Sequence, residues 1–230
     1  TSFYSGIYVY QSKYNVFEDG YINKSNGHGV HLRARSTGNV SHNVFKNIKI
    51  ENTNYYDIDF YTDFGGHGFN NTLINMTFNI SDVNVDDYGF GGTMELTKKW
   101  YYRAYVNDSF GNPLVGATIK LTNSSGDSAQ FLTTGSDGWT SQVLLTDYFQ
   151  DDDGIYFYSN YTVNASYNSS GGYISNFNLT NATNKLDDAI TLNYKLDPFV
   201  FFGINTPLNG SSQSEDSILV NLSANHSSKN

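Results

Sequence analysis

Apolar and polar residues alternate in "IYVY" (7–10), "VHLR" (30–33) and "IDFY" (58–61), the two-residue period of a strand with one buried face. Three longer segments align without gaps: "NVFEDGYINKS" (15–25), "NVFKNIKIENT" (43–53) and "NTLINMTFNIS" (71–81). Each starts 28 residues after the last, so Asn15, Asn43 and Asn71 coincide, as do Phe17, Phe45 and Leu73, then Ile22, Ile50 and Phe78. "VHLR" and "IDFY" keep the same step, whereas "IYVY" lies 23 residues before "VHLR", which predicts a shorter first loop. No stretch sustains a 3.6-residue period, so no helix is predicted. Short strands recurring in the twenties predict laps of chain stacked on one another, with equivalent residues about 4.8 Å apart. Ile7, Val9, Val30, Leu32, Ile58 and Phe60 then point inward. Asn15, Asn43 and Asn71 form an internal amide ladder at a turn.

The "NxF…NxxI" pattern over residues 1–82 resembles the right-handed parallel β-helix of the pectate-lyase-like type. On that frame the outward positions are Tyr8, His31 and Asp59 in one column and Tyr10, Arg33 and Tyr61 in the next. Aromatic and hydrogen-bonding side chains on a flat sheet face are the ingredients of a glycan-binding groove. Two Gly-His segments, "GHGV" (27–30) and "GGHGF" (65–69), invite comparison with polygalacturonases, which carry a Gly-His-Gly beside clustered aspartates from other coils. His28 and His67 are one lap plus eleven residues apart, so they occupy different corners and both read as turn residues. Asp57, Asp59 and Asp63 come from a single stretch, which does not oppose two carboxylates across a glycosidic bond. No catalytic residue is expected.

Residues 83–97, rich in Gly and Asp, break the repeat and read as a cap or linker. From 98 to 197, about seven strands separated by turn signals predict a β-sandwich. Val106, Asp108, Gly111, Pro113, Gly116, Ala117, Ile119 and Leu121, with Asp137-Gly138 at the next turn, resemble the carboxypeptidase-regulatory-like (transthyretin-type) sandwich. That resemblance implies a spacer or adhesion module without catalytic residues. Residues 198–230 resemble the first strands of an Ig-like module, incomplete or completed by strand addition from a neighbouring subunit. The expected class is all-β: the last coils of a β-helix, a sandwich and two further strands.

Composition narrows the chemistry further. The chain has no cysteine, which removes disulfides and thiolate chemistry, and its net charge of −9 disfavours nucleic acid. The longest apolar run, "PFVFFGI" (198–204), is too short for a transmembrane segment. Asn-X-Ser/Thr sequons begin at Asn23, Asn39, Asn70, Asn75, Asn79, Asn107, Asn123, Asn160, Asn164, Asn168, Asn178, Asn181, Asn209, Asn221 and Asn225. Chance from this composition gives about five or six, so covalent N-glycans and an extracellular, cell-surface location are expected. Asp151, Asp152 and Asp153, and equally Asp86-Asp87, are weak calcium candidates lacking alternate ligand spacing. The five histidines include no i, i+4 pair on a helix, so neither zinc nor another cofactor is expected. The expected role is a structural or adhesive module of a surface filament, stalk or envelope layer, partnered by copies of itself or other surface proteins. The alternative is a carbohydrate-binding or carbohydrate-processing protein with its active coils outside this segment.

Overall fold

The computed structural model describes residues 4–36, 38–89, 91–126, 129–168, 170–177 and 186–192, all within one compact unit. The segment 198–230 and the sequons at Asn178, Asn181, Asn209, Asn221 and Asn225 lie outside the described residues. The fold is all-β. Its strands are β1 (Ile7–Tyr10), β2 (Val16–Asn23), β3 (Val30–Arg35), β4 (Asn39–Ser41), β5 (Val44–Glu51), β6 (Ile58–Asp63), β7 (His67–Ile74) and β8 (Val83–Asp86). After these come β9 (Thr93–Asn107), β10 (Thr118–Thr122), β11 (Ala129–Thr133), β12 (Val143–Asp151), β13 (Ile155–Phe157), β14 (Tyr161–Tyr167), β15 (Ser170–Phe177) and β16 (Leu186–Thr191). No helix among the described residues is long and apolar enough to cross a membrane.

Through β9 the chain runs in laps, each giving one strand to each of two parallel sheets, ordered β1-β3-β6-β8 and β2-β5-β7-β9. The 28-residue step appears directly as register: Val16 pairs with Val44 and Val44 with Thr72. The inward faces of both sheets enclose Val9, Val30, Leu32, Phe45, Ile50, Ile58, Phe60, Leu73 and Leu96, all buried. Ile7 packs against this core, partly buried.

At one corner the asparagine side chains link successive laps. Asn15 Nδ2 donates to Asn43 Oδ1 (2.8 Å) and Asn43 Nδ2 to Asn71 Oδ1 (2.9 Å), while the backbone N–H groups of Asn15 and Asn43 donate to the same two oxygens. A second ladder, not apparent from the apolar pattern, runs through Asp19, Asn47 and Asn75: Asn75 Nδ2 donates to Asn47 Oδ1, and Asn47 Nδ2 to Asp19 Oδ1, both at 2.8 Å. These three residues have φ of 58°, 54° and 50°. Asp and Asn tolerate that left-handed bend better than other non-glycine residues, which explains their recurrence at this corner.

Residues 83–97, expected as a cap or linker, give strands to both parallel sheets. β8 extends the first sheet against β6, and β9 extends the second against β7, completing one further lap. Matching fails in the sequence because this lap advances only 25 residues (Thr72 pairs with Thr97) and carries a register shift between Gly68 and Asn71.

β9 then continues into a second core without interruption. Met94 and Leu96 belong to the first core, whereas Trp100, Tyr102, Ala104 and Val106 belong to the second. That second core lies between β9, β12 and β16 on one side and the antiparallel sheet β11-β10-β14-β15 on the other, a sandwich-like packing around Ile119, Leu121, Leu145, Val163 and Ile190. Asp108, fully buried, folds the turn after β9 by accepting the backbone N–H groups of Phe110 and Asn112, both at 2.9 Å. At the seam between the cores Lys98 is buried, with Nζ 3.5 Å from Asp147 Oδ2 and 4.7 and 4.8 Å from the rings of Phe78 and Trp100.

Candidate functional site

Two columns of side chains run across the outward face of the β1-β3-β6-β8 sheet. Tyr8, His31, Asp59 and Asn84 are register partners, and so are Tyr10, Arg33, Tyr61 and Asp86. All six residues singled out from alternation therefore share one face. Arg33 is engaged within the face: its Nη2 lies 2.5 Å from Asp63 Oδ2, and its guanidinium sits 5.2 Å from the Tyr61 ring and 6.0 Å from that of Tyr10.

His28, expected to be an incidental turn residue, joins this face, and Gly29 is the reason. A Cβ on Gly29 would sit 2.5 Å from both Asp57 O and Ile50 Cγ2, so only glycine lets the start of β3 press onto the next lap. His28 Nε2 then lies 3.4 Å from Asp59 Oδ2, and His31 Nε2 lies 3.6 Å from the same oxygen. Donor atoms of the three residues all fall within 4.8 Å of one another. The rings are fenced by aromatics: His28 stacks on Tyr56 at 5.9 Å, and His31 meets Tyr8 edge-on at 4.8 Å. A cleft of about 430 Å³ opens beside them, lined by Tyr4, Ser5, Tyr8, His28, His31 and Tyr55.

The electrostatics follow from burial. Asp59 is 2% exposed, and desolvation pushes its carboxyl above the usual range, against the opposing influence of Asn84 and His28. Asn84 Nδ2 donates to Asp59 Oδ1 at 2.8 Å, which leaves Oδ2 turned toward the imidazoles. Burial, reinforced by His28 and Arg33, lowers His31 to about 4. The ring is therefore neutral at pH 7, with a lone pair to offer. Among the described residues, His28 Nδ1 and His31 Nε2 are both buried without a hydrogen-bond partner.

Two imidazoles and one carboxylate around a common space suit a cation with nitrogen and oxygen preference. The expectation against zinc rested on the lack of a helical i, i+4 histidine pair. Here residues i and i+3 at a strand entry instead meet a side chain one lap away. His67 does not join the group; it opens β7, with Nδ1 3.1 Å from Thr93 Oγ1. The calcium candidates are turn-formers. Asp151 Oδ1 accepts the backbone N–H groups of Asp153 and Gly154, and Asp86 and Asp87 accept those of Tyr88, Gly89 and Gly91. Among the described residues neither stretch contributes to a group of three metal-type donors.

The described sequons are unequal. Asn23, Asn70, Asn79, Asn160, Asn164 and Asn168 are exposed; Asn39, Asn75 and Asn107 are half-buried. Asn123 is 7% exposed, and Asn75 holds its amide nitrogen in the second ladder, so neither side chain stands ready for an oligosaccharide. Sequence reasoning missed His28, Tyr4, Tyr55 and Asn84. The only available signal was that His28 lies three residues before an outward His in a lap whose neighbour places Asp59 opposite it. Comparison of the chain with protein-family models, curated proteins and solved structures returned no match.

Proposed function

We propose that this chain is a structural or adhesive module of an exported, N-glycosylated surface protein. In this reading the last coils of a right-handed parallel β-helix run into a transthyretin-type β-sandwich, followed by the start of an Ig-like module. The observation that carries it is β9. One 15-residue strand belongs to both cores, so the laps and the sandwich-like part share a continuous hydrogen-bonded backbone rather than a flexible joint. A strand common to two packed bodies passes tension from one to the other without a hinge, which is what a stalk or filament subunit requires. The exposed Asn160, Asn164 and Asn168, clustered around β14, support the exported half of the reading. Glycopeptide mass spectrometry of the protein purified from its native source tests it: hexose-bearing peptides covering these residues are expected, and bare peptides at all three would overturn export.

A second reading, a carbohydrate-binding face, is favoured by the tyrosine-lined cleft, since aromatic rings beside hydrogen-bonding groups stack on sugar rings. Retention on polysaccharide columns tests this. Tyr8→Ala together with Tyr55→Ala is expected to abolish retention, and unchanged retention removes the reading.

A further inference from the structure

We infer that His28, His31 and Asp59 form a binding site for a divalent transition-metal ion of the zinc type. A tetrahedral ion with ligands at about 2.0–2.1 Å requires donor atoms about 3.4 Å apart. The two imidazole Nε2 atoms lie 3.4 and 3.6 Å from Asp59 Oδ2. These separations are too long for good hydrogen bonds, so direct pairing does not account for the arrangement.

The surroundings favour the same conclusion. Among the described residues, His31 Nε2 is buried with no hydrogen-bond partner, which is costly unless something else takes up its lone pair. Asn84 fixes the unused carboxylate oxygen, an outer hydrogen bond of the kind that orients metal-binding carboxylates. The charge around the site is negative: Asp57 acts on Asp82 and Asp86 on Asp59, while Arg33, the cation that acts on His31, is paired with Asp63. Two imidazoles with one carboxylate suit zinc, cobalt, nickel or copper rather than calcium or magnesium, which take oxygen ligands. The tyrosine-lined cleft meets the same two histidines, so a further ligand has a route to the ion. The site stands independently of glycan binding and of the mechanical role.

The test is calorimetric titration of the EDTA-stripped full chain with Zn²⁺, with Co²⁺ as spectroscopic probe. One ion per chain is expected, with the intense visible bands of four-coordinate Co²⁺. The double variant His28→Gln/His31→Gln should lose stoichiometric binding, and Asn84→Ala should weaken it by about 10-fold or more. The control His42→Ala/His67→Ala should bind as the parent does. Circular dichroism establishes that each variant is folded, and the Co²⁺ spectrum of the parent needs no variant at all. Failure of the parent to bind one ion, or binding that survives in the double histidine variant, overturns the inference.

Discussion

Replacing Asn43 by alanine probes the principle on which the stacked laps rest. Its side chain is fully buried and occupied on both sides. Oδ1 accepts from Asn15 N and Asn15 Nδ2 at 3.1 and 2.8 Å, and Nδ2 donates to Ser12 O and Asn71 Oδ1 at 3.1 and 2.9 Å. Alanine removes all four bonds and adds no partner for the groups left behind. At about 1 kcal/mol net for each bond the loss is about 4 kcal/mol, and the stranded backbone groups keep it from being much smaller. Asn71 Oδ1 retains the Asn43 backbone N–H, which keeps the loss from being much larger. Asn15→Ala provides the scale. Asn15 sits on the outer lap, and among the described residues its side chain donates to Ser12 Oγ and Asn43 Oδ1, so about 2 kcal/mol is expected. Urea unfolding followed by circular dichroism measures both, and for a unit of this size the Asn43 variant should melt about 8–16 °C lower. Asn43→Asp discriminates further: it preserves shape but turns a donor toward Asn71 Oδ1 into a second acceptor. If Asn43→Ala costs under about 1 kcal/mol, or no more than Asn15→Ala, the ladder is decorative and the physical account of the laps fails.

Three further outcomes follow from other parts of the molecule. Asp147→Ala strands Lys98, whose ammonium is already disfavoured by burial despite its partner; it should cost about 3–5 kcal/mol in denaturant unfolding, and pairing it with Lys98→Met should recover much of that loss. Burial raises the phenols of Tyr102 and Tyr148 well above the usual tyrosine value and that of Tyr161 to about 12, so the fold prefers them protonated. Their stabilising contribution is complete below pH 10 and lost as pH rises beyond it, at up to about 1.4 kcal/mol per pH unit for each phenol; a urea midpoint unchanged between about pH 9.5 and 11.5 would refute this. Finally, exposed Asn164 should carry glycan in native material while buried Asn123 stays bare, and modified Asn123 in glycopeptide maps would contradict the packing around it.

Much of the architecture was legible in the chain because a stacked fold writes its register into its spacing. Segments that pair one lap apart meet the same neighbours, so Asn15, Asn43 and Asn71, or Val30 and Ile58, recur at one interval and in one phase. The alternation of inward and outward residues likewise assigns Tyr8, His31 and Asp59 to one column, as the strand register has them. What broke the period was lost: the 25-residue lap carrying β8 and the start of β9 read as a linker, because a register shift displaces the matching positions even though the strands still pair. The second ladder was hidden for another reason, since Asp19, Asn47 and Asn75 mark a left-handed corner and apolar patterning does not register backbone handedness.

The His28–His31–Asp59 cluster belongs wholly to the tertiary structure. His31 and Asp59 were placed on one face by periodicity, but the approach of His28 depends on Gly29 pressing against Asp57 and Ile50 of the following lap. Likewise, Asp59 presents one oxygen to both rings only because Asn84, from a lap outside the repeat, holds the other. Periodic sequence determines which residues stack. How a side chain leaves its strand, and what burial does to its charge, depends on contacts between laps that differ in sequence, and those are decided only when the chain has folded.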